Sequence, residues 1–310
     1  MCSRKNVSVM YDDDQIRKTI DTDFPSLKVE TLKLLSGGWS NYTYRVNDDL
    51  LFKFPKNDAA NRCIKREMAL LSYLGEYLQV LPRAEFVGAV PGDCAWTYFG
   101  YRMLPGVFLS NFYSQALDRE TRTAILRQLA RFLSVLHQAP TNRALECGLE
   151  SLSFKGVTTS DLAAIRNMLP GRLPLSQHSW LVDLFCEYLG DEDNFRSASV
   201  VLHGDLRPDH ILFDIEKKQI VRVIDFGGAM IGDPDYDLMY LLDAYGPTFI
   251  IELLEHHPHP NPPKLIRKLR FFLVWETVHL ILHGINHQRD DEIKRGLNAL
   301  EISFQADTQA

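Results

Sequence analysis

No run of about 18 apolar residues occurs anywhere in the chain, so no helical membrane span is expected. Met1-Cys2-Ser3-Arg4-Lys5 leads to Asp12-Asp13-Asp14 with no apolar stretch between, which argues against a secretory signal. Cysteine is sparse and scattered: Cys2, Cys63, Cys94, Cys147 and Cys186 are odd in number and include no CxxC. That excludes a disulfide framework and a cysteine zinc site, and points to buried thiols in the reducing cytoplasm. Positive charge is also short, with 34 Lys and Arg against 40 Asp and Glu, a net of −6. Nucleic-acid binders usually carry a basic excess, so no such partner is expected. Repeats, low-complexity segments and long heptads are lacking too, which makes a monomer the default. His256-His257-Pro258-His259 is dense but lacks zinc-type spacing and reads as an exposed loop. His137, His283 and His287 read as surface or hydrogen-bonded core histidines.

What is present is a globular chain of 310 residues, 45% apolar, long enough to bury a large core. Short apolar or alternating runs near 28–36, 42–47, 50–54, 84–88 and 97–104 predict strands. From about 57 to 78, Ile64, Met68, Leu71, Leu74 and Leu78 fall on one helix face. Pro105-Gly106 breaks the chain, and Ile125, Leu129, Phe132, Leu133 and Leu136 stripe a helix over 119–138. Residues 139–175 are rich in Pro, Gly, Ser and Thr and read as an irregular excursion. A hairpin follows, Ile211–Phe213 with Ile220–Ile224, and 236–306 reads as three or four helices. The expectation is an α+β protein of two lobes. Residues 1–104 form a small antiparallel-sheet lobe and 105–310 a larger helical lobe, an arrangement that suggests an active-site cleft between the two.

Several residues carry chemistry. Lys53 stands alone in Leu50-Leu51-Phe52-Lys53-Phe54, and alone it reads as an edge-strand residue facing solvent. Glu67 projects from the apolar stripe of its helix, where a carboxylate is costly unless paired. A Lys53–Glu67 pair across the strand–helix interface would aim the ammonium at a nucleotide's phosphates. Ser36-Gly37-Gly38-Trp39-Ser40 lies between two predicted strands, either a plain turn or a glycine-rich cradle for phosphate. The strongest segment is Val200-Val201-Leu202-His203-Gly204-Asp205-Leu206-Arg207-Pro208-Asp209-His210, with Ile224-Asp225-Phe226-Gly227 after it. Both put acids at the ends of apolar strands. Asp205 suits a base or orienting group for an attacking hydroxyl. His210 and Asp225 suit Mg²⁺ ligation, with Asp209 a rival to His210. Singly these are turn residues; in this order they are specific.

The pattern resembles the protein-kinase-like fold and, within it, the aminoglycoside phosphotransferase family. His203-Gly204-Asp205, Ile224-Asp225-Phe226-Gly227, His210-Ile211-Leu212-Phe213-Asp214 and Asp233-Pro234-Asp235-Tyr236-Asp237-Leu238 look most like the aminoglycoside 2''-phosphotransferases, over roughly 35–245. The resemblance implies a magnesium-dependent kinase that moves the γ-phosphoryl group of GTP or ATP to a hydroxyl. Tyr101 falls at the family's gatekeeper position, and Arg102 to Leu104 where the backbone binds the purine. A bulky gatekeeper is associated with use of GTP. Most kinase-like enzymes have Asn where His210 stands; the 2''-phosphotransferases resemble this chain in having His.

Charge bears on the acceptor. Residues 191–243 hold twelve acids against five bases, a net of −7, which leaves the rest of the chain near +1. Acidity concentrated at the candidate site favours a polycationic acceptor such as an aminoglycoside. Asp237, Asp243, Trp275 and Glu276 are the candidate substrate residues, although Trp275 also fits a core position. The alternatives are a kinase of the same fold acting on a macrolide, choline, homoserine or another metabolite, and a nucleotide-binding pseudokinase. The presence of Lys53, Glu67, Asp205 and Asp225 disfavours the last.

Overall fold

A computed structural model describes residues 11–36, 40–90, 96–112 and 118–308. The elements run α1 (Asp13–Asp23), β1 (Leu32–Ser36), β2 (Asn41–Val46), β3 (Leu50–Pro55), α2 (Asp58–Leu74), β4 (Phe86–Val90), β5 (Trp96–Arg102) and β6 (Val107–Phe108). They continue with α3 (Arg119–Gln138), α4 (Thr141–Glu146), α5 (Phe154–Met168), α6 (Leu175–Gly190), β7 (Val200–Leu202), β8 (Ile211–Asp214), β9 (Gln219–Val223) and β10 (Met230–Gly232). Three helices close the chain: α7 (Met239–Leu254), α8 (Pro262–His287) and α9 (Asp290–Thr308). Two compact units arise, one from residues 1–128, 139–149 and 209–229, the other from 129–138, 150–208 and 230–310.

The first unit is built on a five-stranded sheet of order β1-β2-β3-β5-β4, antiparallel throughout. Strand β3 is buried along its whole length, because both of its faces are covered. Side chains alternate between faces. Leu50, Phe52 and Phe54 therefore join Ile16 and Ile20 of α1, with Tyr44, Val46 and Tyr98, in one core, and Leu51 and Lys53 turn to the opposite face. Helix α1 starts on a capping box between Asp12 and Gln15, and α2 on the Asn57 side chain. A second sheet, β6-β8-β9, completes the unit.

In the second unit β7 pairs with β10, and α5 to α9 supply most of the mass. Its centre is aromatic: Phe154, Tyr188, Tyr236, Phe271, Phe272 and Trp275 pack ring against ring. Lys268 is buried there and is neutralised by Asp233 at 2.5 Å and Asp235 at 2.8 Å. Among the described residues, no helix is long and apolar enough to cross a membrane.

The α+β class expected from the sequence holds, and strands β1 to β5, helix α3 and the β8–β9 hairpin lie where the patterns put them. Four expectations need correction. Residues 139–175 hold two helices, α4 and α5, because Ser153 caps α5 and Thr158, Leu162 and Ile165 form a buried stripe through its polar sequence. Helix α2 stops at Leu74, with Gly75 as its C-cap. Cys63 and Cys147 are only half-buried and Cys186 is exposed. The 256–259 histidines are not simply exposed: His257 Nδ1 meets Ser134 Oγ at 3.1 Å and His259 faces Asp235 at 3.6 Å.

Candidate active site

The first unit brings four of the expected residues together. Lys53 stands in the middle of the sheet, paired with Thr43 on one side and Phe99 on the other, and is 5% exposed. Its Nζ lies 2.8 Å from Glu67 Oε1 and 3.1 Å from Asp225 Oδ1. Burial by itself would lower the lysine pKa; the two carboxylates outweigh it and hold the ammonium well above its ordinary value. Burial likewise pushes the Glu67 carboxyl up, and Lys53 pulls it back. The edge-strand reading of Lys53 fails because β5 closes the side of β3 that an edge would leave open.

Asp225 and His210 are neighbours through strand register. Ile211 faces Val223 across β8–β9, and the Ile224 amide donates to the His210 carbonyl at 2.9 Å. The residues flanking those positions therefore emerge side by side, with His210 Nε2 3.7 Å from Asp225 Oδ2. Asp225 adopts left-handed backbone angles, φ 68° and ψ 63°, unusual for a residue with a Cβ. Phe226 is buried beneath it, and Arg66 of α2 donates to the Gly227 carbonyl at 3.0 Å. Helix α2 thus holds both Glu67 and the turn that carries Asp225. Asp209 is exposed one position before His210.

Tyr101 pairs with Leu51 and so shares the Lys53 face of the sheet. Burial pushes its phenol up to about 12. Arg102 ends β5 and pairs with Asp49; the Met103 amide is taken by the Asp49 carbonyl at 2.7 Å, and Leu104 is half-buried. Ser36 ends β1, and the Ser40 carbonyl accepts from the Lys56 amide at 3.1 Å. Gly37 and Gly38 lie outside the described residues.

The second unit holds the loop after β7. Gly204 takes a positive φ of 76°, which turns the backbone into Asp205. Asp237 organises this loop. Its Oδ2 accepts from the His203 amide at 3.0 Å and its Oδ1 from the Gly204 amide at 2.9 Å. His137 Nε2 lies 3.0 Å from the same Oδ2. Asp237 is buried and fully engaged, so it serves the loop; the sequence pattern suggested a substrate contact, because backbone amides leave no trace in side-chain spacing. The Asp205 amide donates to His203 Nδ1 at 3.2 Å, and the Arg207 guanidinium lies 4.6 Å above the Tyr240 ring.

Of the other substrate candidates, Asp243 is exposed on α7. Trp275 is buried in the aromatic core, and its Nε1 donates to Asp161 at 2.6 Å. Glu276 is half-buried and accepts from the Tyr236 hydroxyl. Burial raises the Tyr236 and Tyr240 phenols, and the Glu276 and Asp205 charges raise both further. Asp161 and His279, which bond here, were missed; each stands alone in its helix sequence, with no spacing to mark it.

The sequence profile of the phosphotransferase enzyme family matches residues 31–265, most of the chain. The chain belongs to this family. The resemblance read from the motifs therefore holds. Solved relatives agree: the GDP and kanamycin complex of APH(2")-IIia is 29% identical, with 92% of this chain and 97% of that one covered at a TM-score of 0.86. The GDP complex of wild-type aminoglycoside 2'-phosphotransferase-IIIa is 27% identical, with 96% and 100% covered at a TM-score of 0.90. The chain is also 23% identical to the uncharacterized protein YcbJ of Bacillus subtilis, over 57% of this chain and 58% of that protein. The chain thus spans under two thirds of that curated relative's length.

Proposed function

We propose that the protein is a magnesium-dependent small-molecule kinase that transfers the γ-phosphoryl group of GTP or ATP to a hydroxyl of an aminoglycoside-like polycation. The observation that carries this reading is the buried Lys53 ammonium held between Glu67 and Asp225, with His210 beside the latter. Buried Lys268 is also held by two acids, but both of those are buried, whereas Asp225 is 47% exposed, so the Lys53 group opens towards a ligand, and in kinases that ligand is the nucleotide's phosphates. Residues 1–104 act as the nucleotide-binding lobe; residues 105–310 carry the catalytic loop and substrate pocket. Ser36, Gly37, Gly38 and Ser40 cover the phosphates. Tyr101 limits the purine pocket and admits GTP, while the 102–104 backbone binds the base.

Asp225 and His210 fit a magnesium site that the nucleotide completes. One carboxylate and one imidazole side by side make too few donors for an all-protein cage, and Mg²⁺ ordinarily takes one or two protein ligands plus phosphates and water. When bound, the metal neutralises phosphate charge. Lys53 adds a fixed positive charge at the same phosphates. Asp205, braced through the His203 and Gly204 amides on Asp237, orients the acceptor hydroxyl and accepts its proton. The reaction then depends on positioning and electrostatics, with no covalent enzyme intermediate. Glu276 supplies acceptor-side negative charge, with Asp243 a lesser contributor, and Trp275 serves that side by holding Asp161 through its Nε1.

Nucleoside-diphosphate release, with ATP and GTP in parallel and with or without kanamycin or gentamicin, tests the reading. Drug-dependent release is expected, and Asp205→Asn is expected to abolish it while nucleotide binding persists. Release indifferent to the drugs moves the acceptor to another hydroxyl compound. Near-normal turnover by Asp205→Asn removes the assignment of that residue. Turnover with ATP alone removes the role given to Tyr101.

A further inference from the structure

The acceptor-side carboxylates hold a cation of their own. His279 of α8 places Nε2 2.9 Å from Asp161 Oδ2 on α5 and Nδ1 3.2 Å from Glu276 Oε1 one turn earlier. A neutral imidazole has one N–H and one lone pair, so it would aim the lone pair at one of these carboxylates. Only the imidazolium donates to both. Burial opposes that charge, but the two acids outweigh it and hold the group up to about 9.

The surroundings fix this arrangement. Trp275 Nε1 donates to the same Asp161 oxygen, the Tyr236 hydroxyl donates to Glu276, and the Trp275 ring lies 4.9 Å from the imidazole. Tyr236, whose hydroxyl holds Glu276, directly precedes Asp237, which binds the His203 and Gly204 amides, so this cluster is tied to the loop that carries Asp205. The three charged side chains stay open to solutes: His279 is 34% exposed, Asp161 13% and Glu276 28%. Two carboxylates and one imidazolium leave a net charge of −1.

We infer that His279 is a specificity-determining residue, a resident counter-ion for Asp161 and Glu276 that an ammonium group of the acceptor must displace or share. This rests on the reading of the acceptor as a polycation. The histidine thereby tempers cation binding: with it protonated the subsite takes an ammonium weakly, and without its charge it takes one tightly. Linkage makes the effect reciprocal. Bound ammonium lowers the proton affinity of His279 by the same factor by which the proton weakens the ammonium.

Two measurements on the full chain test this. The His279 imidazole is titrated by NMR with and without saturating kanamycin; its midpoint is expected to fall by about one pH unit. Kanamycin binding to His279→Gln is measured by calorimetry at neutral pH; it is expected to tighten by roughly threefold to tenfold, whereas replacing a merely structural histidine would leave it equal or weaker. A midpoint that kanamycin does not move, in a protein that still phosphorylates kanamycin, overturns this inference alone. Equal or weaker binding by a folded His279→Gln does the same. No kanamycin-dependent release from the wild-type chain overturns the polycation reading, and this inference with it.

Discussion

Lys53 shows what one buried charge demands. Removing it as Lys53→Met leaves Glu67 without its nearest cation in a dry site, a change that costs about 3–5 kcal/mol. The variant is expected to melt well below the wild type. An isolated Glu67 would have its folded pKa raised, so its contribution is intact below the ordinary carboxylate range and is lost as pH rises. The Tm deficit of Lys53→Met should therefore be smaller near pH 5 than near pH 8, which scanning calorimetry at the two pH values checks. His279 has the same sign for a different reason. Against burial, Asp161 and Glu276 push it up to about 9 from the ordinary 6.5 of a histidine, so its contribution to stability is complete below 6.5 and fades as pH passes 9. The urea midpoint of the wild type should exceed that of His279→Gln most at pH 6 and progressively less towards pH 10. Lys53 and Glu67 were legible in the sequence because each broke a strong apolar period. Asp237 was legible as an acid in a motif but not in its role, because what it binds is backbone.

At the scale of the element, the loop after β7 depends on neighbours distant in sequence. Asp237→Ala strands two amides, those of His203 and Gly204, at a cost of about 1–3 kcal/mol each. The loop should lose its shape before the fold is lost, so kcat is expected to fall by orders of magnitude while nucleotide affinity changes little; steady-state kinetics and nucleotide titration separate the two. Strand β10 gives a packing test. A Cβ at Gly232 would lie 2.5 Å from Phe154 Cε2, so Gly232→Ala should lose about 1–3 kcal/mol in urea denaturation as Phe154 is displaced. Strands and long striped helices were legible because their periods are strong. Helix α5 was not: FKGVTTSDLAAIRNM spreads few large apolar residues among Ser, Thr and Gly, and tertiary packing of Thr158, Leu162 and Ile165 decides the matter. Helix α1 was missed for a like reason, since its core contact comes down to Ile16, Thr19 and Ile20.

Across the whole molecule, charge is unevenly spread, with residues 191–243 at −7 and the remainder near +1. If that acidity draws a polycationic acceptor, added salt should screen it. The KM for kanamycin is expected to rise severalfold between about 0.05 and 0.3 M salt, with a smaller change in kcat. The architecture was legible as a class because sheet-forming and helix-forming segments separate along the chain; the make-up of the two compact units was not, because each draws on three separate stretches. That interleaving bears on biosynthesis. The polypeptide passes between the units at five junctions, and the first unit takes its last strands, β8 and β9, from residues 211–223. A ribosome must therefore deliver more than two thirds of the chain before the earlier-made unit can close. Until then β6 waits without β8, its partner in the second sheet. The five-stranded sheet can form once Arg102 is made, but its Lys53 face lacks Asp225 until much later, so nascent chains should depend on chaperones for longer than those of a protein whose units follow one another end to end.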